Sequence, residues 1–591
     1  MSSHAHPSAG GTPGPSAPTR TTLAVPQRKR GLPPTIAMAF MGAVATGPLA
    51  VVTGGVSTIV GTTGVIGLGL IYALVAAALI AFSLASSAVV GHTGIAAGLH
   101  TYVARGLGER VGLGVAVLMA VSYTALSAGY YGIIGFEIAN QIEENSGRTV
   151  PWVMLVVPAL VLVGFLGTRS LRTNAIIGTA VLGVLIAAHF LFDLTAVRFP
   201  ASGGFTAETL DPVTLFTGAV AAAVGFSVTA YPGIETPMAY GGELGATSRQ
   251  VTNATYIAVV IAGLANVLAA VTVTSALGPQ TLADGALTKG SQPVFDFLTV
   301  HLGEGAAGLF GLANLVAVFG ASLIFHHAAS RSIRSLAAAG VLPAGLAKRS
   351  ARSGAPVTAS YLQTGIAAVV LLAFAVAGAD PFRTVFIMLS HIGSVGVFLS
   401  LVAAAGAVMV FLLRSDSEEG GFLGWEGRLV AAIVAALCVG AVVVSALLET
   451  HVRLDVAGSS LVVWVPSVVV IAALLTGVLW PARRRTARSL ALDEEDEYAT
   501  PVSASPALAH LIPGQRTPVD GTPYGPAPTG SYATPPTYRP ASAPGGAPSS
   551  SPRSGTAQPP IPPRPSQPSA VPAQPGGAPP WPTQGAGRPG S

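Results

Sequence analysis

The sequence predicts an all-α membrane protein of twelve transmembrane helices, with the first and sixth broken. Three observations lead there. Of 591 residues, 51% are hydrophobic and only 9% are charged, whereas a soluble domain carries roughly a quarter charged residues. Apolar runs long enough to cross a bilayer recur along most of the chain. Two of those runs are interrupted near their middles, at Gly47-Pro48 and at Pro232-Gly233. A water-soluble protein of this size could not cover its core with so few charges. Lipid removes the conflict, because apolar side chains can then face outward.

The remaining composition excludes other classes. The net charge of +5 is small and forms no compact basic patch with interleaved aromatics, so nucleic acid is not expected as a partner. The single cysteine, Cys438, lies in an apolar stretch. It allows no intramolecular disulfide and no cysteine-based metal site. There is no nucleotide-binding loop, no zinc-protease histidine pair and no nucleophile–base set, so no enzyme activity and no bound cofactor are expected.

A hydrocarbon core of about 30 Å needs roughly 20 apolar residues in a helix. On that length the spans fall near 36–60, 65–90, 112–141, 151–168, 174–194 and 213–240. The rest fall near 252–277, 305–330, 358–378, 383–413, 427–449 and 460–481. The first apolar run has no small-residue cleavage site after it and reads as a membrane helix, not a signal peptide. Orientation follows from Lys and Arg, which concentrate on the cytoplasmic side. With the N-terminus inside, the outer segments hold only Arg148, Arg198, Lys289, Arg383 and Arg453, and the other loop and terminal cations of the membrane region fall inside. Both termini are therefore expected in the cytoplasm of a multi-pass cell-membrane protein. Trp152, Trp425, Trp464 and Trp480 fall near span ends, as an interfacial belt requires.

The organisation that follows is a disordered cytoplasmic N-terminus (1–34), spans one to five (35–194), spans six to ten (213–413), two further spans (427–481) and a disordered Pro-rich cytoplasmic tail (482–591). In the tail the acidic run Asp493–Glu497 leads into a long stretch of Pro, Ser, Gly and Ala. Such a composition buries too little apolar area to offset chain entropy. Its stretch Pro559–Pro568 reads either as passive low complexity or as a polyproline II ligand for a tail-binding protein.

The two breaks carry the functional argument. Proline removes an N–H and glycine tolerates unwinding. In lipid, the freed backbone groups must find partners, so breaks occur where they line a cavity or are buried by protein. Five spans separate the start of the first from the start of the sixth, so the second half enters from the opposite side. Interrupted spans at matching places in inverted halves point to a binding site at the membrane midplane. There, half-helix N-termini attract an anion and unwound carbonyls attract a cation. An α-amino acid carries both charges on adjacent atoms and suits that geometry.

Several stretches resemble the amino acid–polyamine–organocation permeases. Ala97–Gly108 (AGLHTYVARGLG) looks like the family's segment after span two. Ala329–Ala359 is similar to its long cytoplasmic signature after span eight, with Arg, then Gly-x-Leu-Pro, a basic spacer and a Pro opening span nine. Gly233–Glu235 and Gly241–Glu243 resemble its span-six pattern. The likeness covers about residues 35–480 and implies a five-plus-five inverted repeat, with spans eleven and twelve outside its core. It also implies secondary active transport of an amino acid or related amine by alternating access, coupled to protons or sodium. By the same likeness Ala45, Thr46 and Gly47 fall where backbone amides hold a substrate carboxylate. Ala230, Tyr231 and Gly233 fall where carbonyls take the amine and an aromatic covers the ligand. Pro48 and Pro232 mark the gating breaks, and Pro48 itself offers no N–H. Some members carry a titrating Lys in span five. This chain has none between Asn174 and Leu194, so that coupling scheme does not carry over.

Polar residues within the spans need a reason, because a charge at a helix centre costs about 2.5–3.5 kcal/mol on insertion scales. Glu235 reads either as a protonation or gating switch or as a cap on the second half-helix of span six. Glu137 and Asn140 read as interfacial groups or as part of a vestibule. His326, His327, His189 and His391 read as packed, hydrogen-bonded histidines, with a proton relay as the alternative. Tyr123, Tyr130 and Tyr131 read as pocket lining or as core. A different class of function, a transporter-derived sensor signalling through its tail, is the alternative to transport.

Overall fold

A computed structural model of the chain describes residues 32–93, 98–201, 204–279, 281–282, 291–414 and 424–481. Of the disordered segments expected at 1–34 and 482–591, residues 1–31 and 482–591, with the acidic run and Pro559–Pro568, lie outside the described residues, and Pro34 already opens a helix. Among the described residues every regular element is helical. Ten helices among the described residues are long and apolar enough to cross a membrane, and two shorter apolar helices, Trp152–Gly167 and Val220–Ala230, accompany them.

Helix α1 (Pro34–Ala45) starts on two prolines, which suit a first turn that needs no N–H bond. It ends at Thr46, and Gly47 adopts a left-handed conformation at φ 60°. A short turn (Pro48–Ala50) and a π-turn (Val51–Gly55) then lead into α2 (Val56–Thr63). The first span is thus broken at Gly47-Pro48, because only glycine takes positive φ at little cost. After it come α3 (Leu68–Thr93), α4 (Leu99–Leu107), α5 (Glu109–Ser146), α6 (Trp152–Gly167) and α7 (Leu171–Arg198).

The sixth span departs from its expected start at residue 213. Asp211 accepts a hydrogen bond from the Val213 N–H at 2.9 Å, Pro212 opens a 3₁₀ turn over Pro212–Thr217, and the extended Gly218 stops it. The segment folds onto the start of α3, where Thr217 Oγ1 donates to Gly64 O at 2.8 Å and Thr209 Oγ1 accepts from Gly69 N–H at 2.8 Å. The membrane helix α8 (Val220–Ser227) begins beyond it. A 3₁₀ turn (Val228–Ala230) and the irregular Tyr231–Glu235 separate α8 from α9 (Thr236–Leu244). Gly233 sits at φ 114°.

The remaining α-helices among the described residues are α10 (Ser248–Leu277), α11 (Gln292–Leu302), α12 (Glu304–Ala338), α13 (Val357–Val376), α14 (Ile387–Arg414), α15 (Gly424–Leu448), α16 (Thr450–Arg453) and α17 (Val465–Leu479). A capping box opens α10, with Thr247 Oγ1 accepting from Gln250 N–H and Gln250 Oε1 from Thr247 N–H. Helices α4 and α11 escape a membrane-length reading because they are short. Helix α4 carries the family-like HTYVARGL sequence.

The broken helices sit centrally. Helix α1 packs against α7, α9, α10 and α12, while α5 packs against α12, α14 and α17. Large apolar side chains such as Met154, Phe190, Leu264, Val369 and Leu437 are exposed on the outer helices, where lipid is their natural neighbour. Helix α1 and the second break meet without a gap: a Cβ at Gly233 would collide with Ala45 Cβ. Gly233→Ala combines that overlap with an unfavourable φ. It is expected to destabilise the protein by about 2–4 kcal/mol, read as a lowered unfolding midpoint in detergent, and an unchanged midpoint would contradict this packing.

Candidate functional site

The two breaks open onto one cavity. Thr46, Gly47 and Ala230 line it, with Tyr72 of α3 and Tyr130 of α5. Its wall runs outward along Thr53, Gly54 and Thr58, toward the end of the bundle opposite Pro34. The structure therefore brings three of the six expected binding residues onto one surface. Ala45 and Gly233 lie behind it, packed against each other. Tyr231 is fully buried, and its hydroxyl donates to Tyr72 O at 2.7 Å. That bond sets Tyr72 on the cavity wall in front of Tyr231.

The backbone at the first break is partly engaged. Thr46 N–H donates to Gly42 O at 3.3 Å and Gly47 N–H to Val44 O at 3.1 Å. Thr46 Oγ1 donates to Ala43 O at 2.8 Å. At the second break the side chains do the satisfying. Asn266 Nδ2 donates to Ala230 O at 3.0 Å, and Glu235 Oε2 accepts the Gly233 N–H at 2.9 Å. Glu235 precedes α9, yet it bonds backward into the break and not forward onto the first turn of α9. Its other oxygen, Oε1, has no hydrogen-bond partner. Glu235 lines a second, smaller cavity with Tyr123, His100 and Arg331.

Below the breaks, toward the N-terminal end of the bundle, α9 and α12 are tied together. Arg331 approaches Glu243 Oε2 with Nη2 at 2.7 Å and Nε at 2.9 Å. Its guanidinium also lies 5.4 Å from the Tyr240 ring centre and donates to His327 O at 3.0 Å. Tyr240 in turn donates to Ile324 O at 2.8 Å. Arg331 also lines the smaller cavity, on this side of the breaks.

The sequence-level polar residues divide. Tyr130 reaches the cavity and Tyr123 the smaller one, whereas Tyr131 is buried core. Glu137 lines the main cavity near its mouth, where Asn314 Nδ2 donates to it at 3.4 Å. His326 is packed and bonded to Ser360 Oγ at 2.9 Å, and His391 to Thr450 Oγ1 at 3.3 Å. His327 Nδ1 lies 3.3 Å from Arg331 Nη1. His189 has an acidic neighbour one turn on, with Nε2 3.6 Å from Asp193 Oδ2. Among the described residues no group of three His, Cys, Asp or Glu side chains is placed to hold a metal. Sequence reasoning missed Arg453, which reaches the cavity from α16. Its one signal was its place among the few outer cations.

Broken helices that share a buried cavity, in a bundle of apolar helices, define a multi-pass membrane transporter. The family model described as amino acid permease matches residues 33–475. The chain belongs to this family, within the amino acid–polyamine–organocation superfamily. No curated protein matches it. Two solved structures of a manganese transporter from Eremococcus coleocola are similar to it. One, in complex with an aromatic bis-isothiourea substituted compound, is 13% identical at a TM-score of 0.49, over 79% of this chain and 99% of that one. The other, a mutant of that transporter, is 14% identical at a TM-score of 0.48, over 77% of this chain and 95% of that one.

Removing one member of a buried ion pair leaves the other charge uncompensated, at a cost of about 3–5 kcal/mol. Glu243→Gln is expected to lower the unfolding midpoint accordingly. The double change Glu243→Gln with Arg331→Met is expected to recover most of the loss. A double variant no more stable than the single one would show that the pair is not what joins α9 to α12.

Proposed function

We propose that this permease moves an amino acid or related amine across the cell membrane by alternating access. In this reading the chain forms a five-plus-five inverted repeat of twelve spans, with both termini in the cytoplasm. The observation that carries the proposal is that residues of both breaks, Thr46 and Gly47 of the first and Ala230 of the second, line one cavity. A break is tolerated in lipid only where its backbone is satisfied internally or lines such a cavity. Paired breaks at one cavity are the arrangement expected of a midplane substrate site.

The two ends of the cavity supply the alternation. Its mouth lies among Thr58, Glu137 and Arg453, at the end where α2 finishes and α8 begins. On the other side of the breaks Glu243 and Arg331 pair across α9 and α12. Substrate binding at the breaks draws the mouth closed, and the Glu243–Arg331 pair parts in the opposite state. The ligand can shift this equilibrium only by binding the two states unequally. The segment between the half-helices, which holds both Gly233 and Glu235, is the element that differs. A proton is the coupling ion in this reading and Glu235 its carrier, because it is a buried carboxylate of the second break that also lines the smaller cavity.

Saturable uptake of at least one labelled amino acid or amine into proteoliposomes is expected of the purified protein. A Cβ at Gly47 would meet the Tyr130 hydroxyl at 3.3 Å, on a residue already at φ 60°. Gly47→Ala is therefore expected to reduce kcat/KM at least tenfold. No uptake of any amino acid or amine by the wild-type protein would refute the proposal. Glu235→Gln cannot exchange a proton, so its uptake is expected to lose the stimulation that an inward proton gradient confers on the wild type. A variant that responds to the gradient as the wild type does would remove Glu235 from coupling.

A further inference from the structure

The cavity contains a cation that the break residues do not explain. Arg453 lies on α16, in the turn between the last two long helices, yet it lines the same cavity as Thr46, Gly47 and Ala230. Close packing brings it there. Helix α8 meets α15 so tightly at Gly225 that a Cβ would lie 2.8 Å from the Ser445 carbonyl carbon. That contact sets the end of α15 against the first half of the broken sixth span. Thr450 Oγ1 then donates to Ala446 O at 3.0 Å and meets His391 Nε2 at 3.3 Å, which fixes the start of α16. Beyond Arg453 the chain turns sharply through Asp455, whose φ is 53°.

The guanidinium held in this way has no acid of its own. Among the described residues, ion pairs join His189 to Asp193, Arg331 to Glu243, and Arg383 to Asp455, and none includes Arg453. Its partners are neutral. Nη1 lies 3.5 Å from Phe226 O, Nη2 lies 3.3 Å from Thr229 Oγ1, and the group stands 4.8 Å from the Phe226 ring centre. The Nε is buried and has no acceptor. A guanidinium presents five N–H donors in a fixed fork that matches a carboxylate. Two long bonds to neutral oxygens leave most of that capacity unused, on a group largely withdrawn from water. Glu137 also lines the cavity, and among the described residues no cation pairs with it. An acid and a base, each unpaired, thus face one space.

We infer that Arg453 binds the carboxylate of the substrate and makes this permease selective for amino acids over amines that lack a carboxylate, polyamines included. The inference rests on the transport reading above and narrows its substrate class. A zwitterion offers a carboxylate to Arg453 and an ammonium to Glu137. A polyamine offers only positive charge and is repelled by Arg453. The competing role for Arg453 is to cap the carbonyl end of α8, where a cation is favourable. A cap would alter stability but not the preference between an acid and its amine.

The experiment compares each of the common amino acids with its decarboxylated amine, together with putrescine and spermidine. Binding to the full-length purified protein is measured calorimetrically. At least one amino acid is expected to bind at least tenfold more tightly than its own amine. Arg453→Gln is expected to raise the amino acid's Kd at least tenfold while moving the Kd of the amine less than twofold, and Arg453→Lys to fall between. The unliganded unfolding midpoint reports whether each variant is folded, and the wild-type comparison needs no variant at all. Amines that bind the wild type as tightly as their parent amino acids would overturn the inference while leaving transport standing. So would an Arg453→Gln protein whose amino acid Kd stays within twofold of wild type. Failure of the wild type to bind any member of either set would overturn both.

Discussion

Backbone groups in a hydrocarbon layer have no water to turn to, and this constraint organises the centre of the molecule. A continuous helix answers it by itself. A broken one does not, and each break here is answered differently. At the first, Gly47 turns through a left-handed conformation that lets its own N–H and that of Thr46 reach carbonyls of the preceding turn. At the second, distant or nearby side chains supply the partners. Asn266 of α10 takes the Ala230 carbonyl and Glu235 takes the Gly233 N–H. The side-chain solution is the more easily rearranged, because a carboxylate or an amide can exchange partners without unwinding a helix.

Charge is used sparingly, and its placement follows from that economy. In water an exposed ion pair contributes little, but within a bundle an unpaired charge is costly. Arg331 and Glu243 meet this by pairing across α9 and α12, with Tyr240 stacked beside the guanidinium. Arg453 is held differently, by a carbonyl, a hydroxyl and an aromatic face. The paired charges lie outside the main cavity, and Arg453 lines it. The last two long helices therefore do more than pad the bundle: α15 buttresses α8, and the turn after it contributes to the cavity.

Much of the fold was legible in the chain because lipid simplifies the code. Apolar runs of about 20 residues have few other readings, and Gly-Pro or Pro-Gly within them has a direct steric meaning. Hence both breaks lie where the sequence puts them. Elements shorter than a membrane crossing were not legible: α4 and α11 have too few residues for a span-length window, and the 3₁₀ turn over Pro212–Thr217 depends on its contacts with α3. The same holds for the site. Thr46, Gly47 and Ala230 could be named from the breaks, but Tyr72 standing in front of Tyr231 could not, because that order depends on a hydrogen bond between α3 and the second break.

By itself, then, the sequence determined the medium, the approximate limits of most of the apolar runs, and the positions where helices must break. These are local properties, decided by composition, run length and the steric limits of Gly and Pro. Tertiary structure alone decided which residues share a surface. It set Ala45 against Gly233, joined Glu243 to Arg331 across 88 residues, and carried Arg453 into a cavity begun more than 400 residues earlier in the chain. Such encounters depend on how helices pack at Gly225, Gly233 and their partners, and no local pattern encodes them.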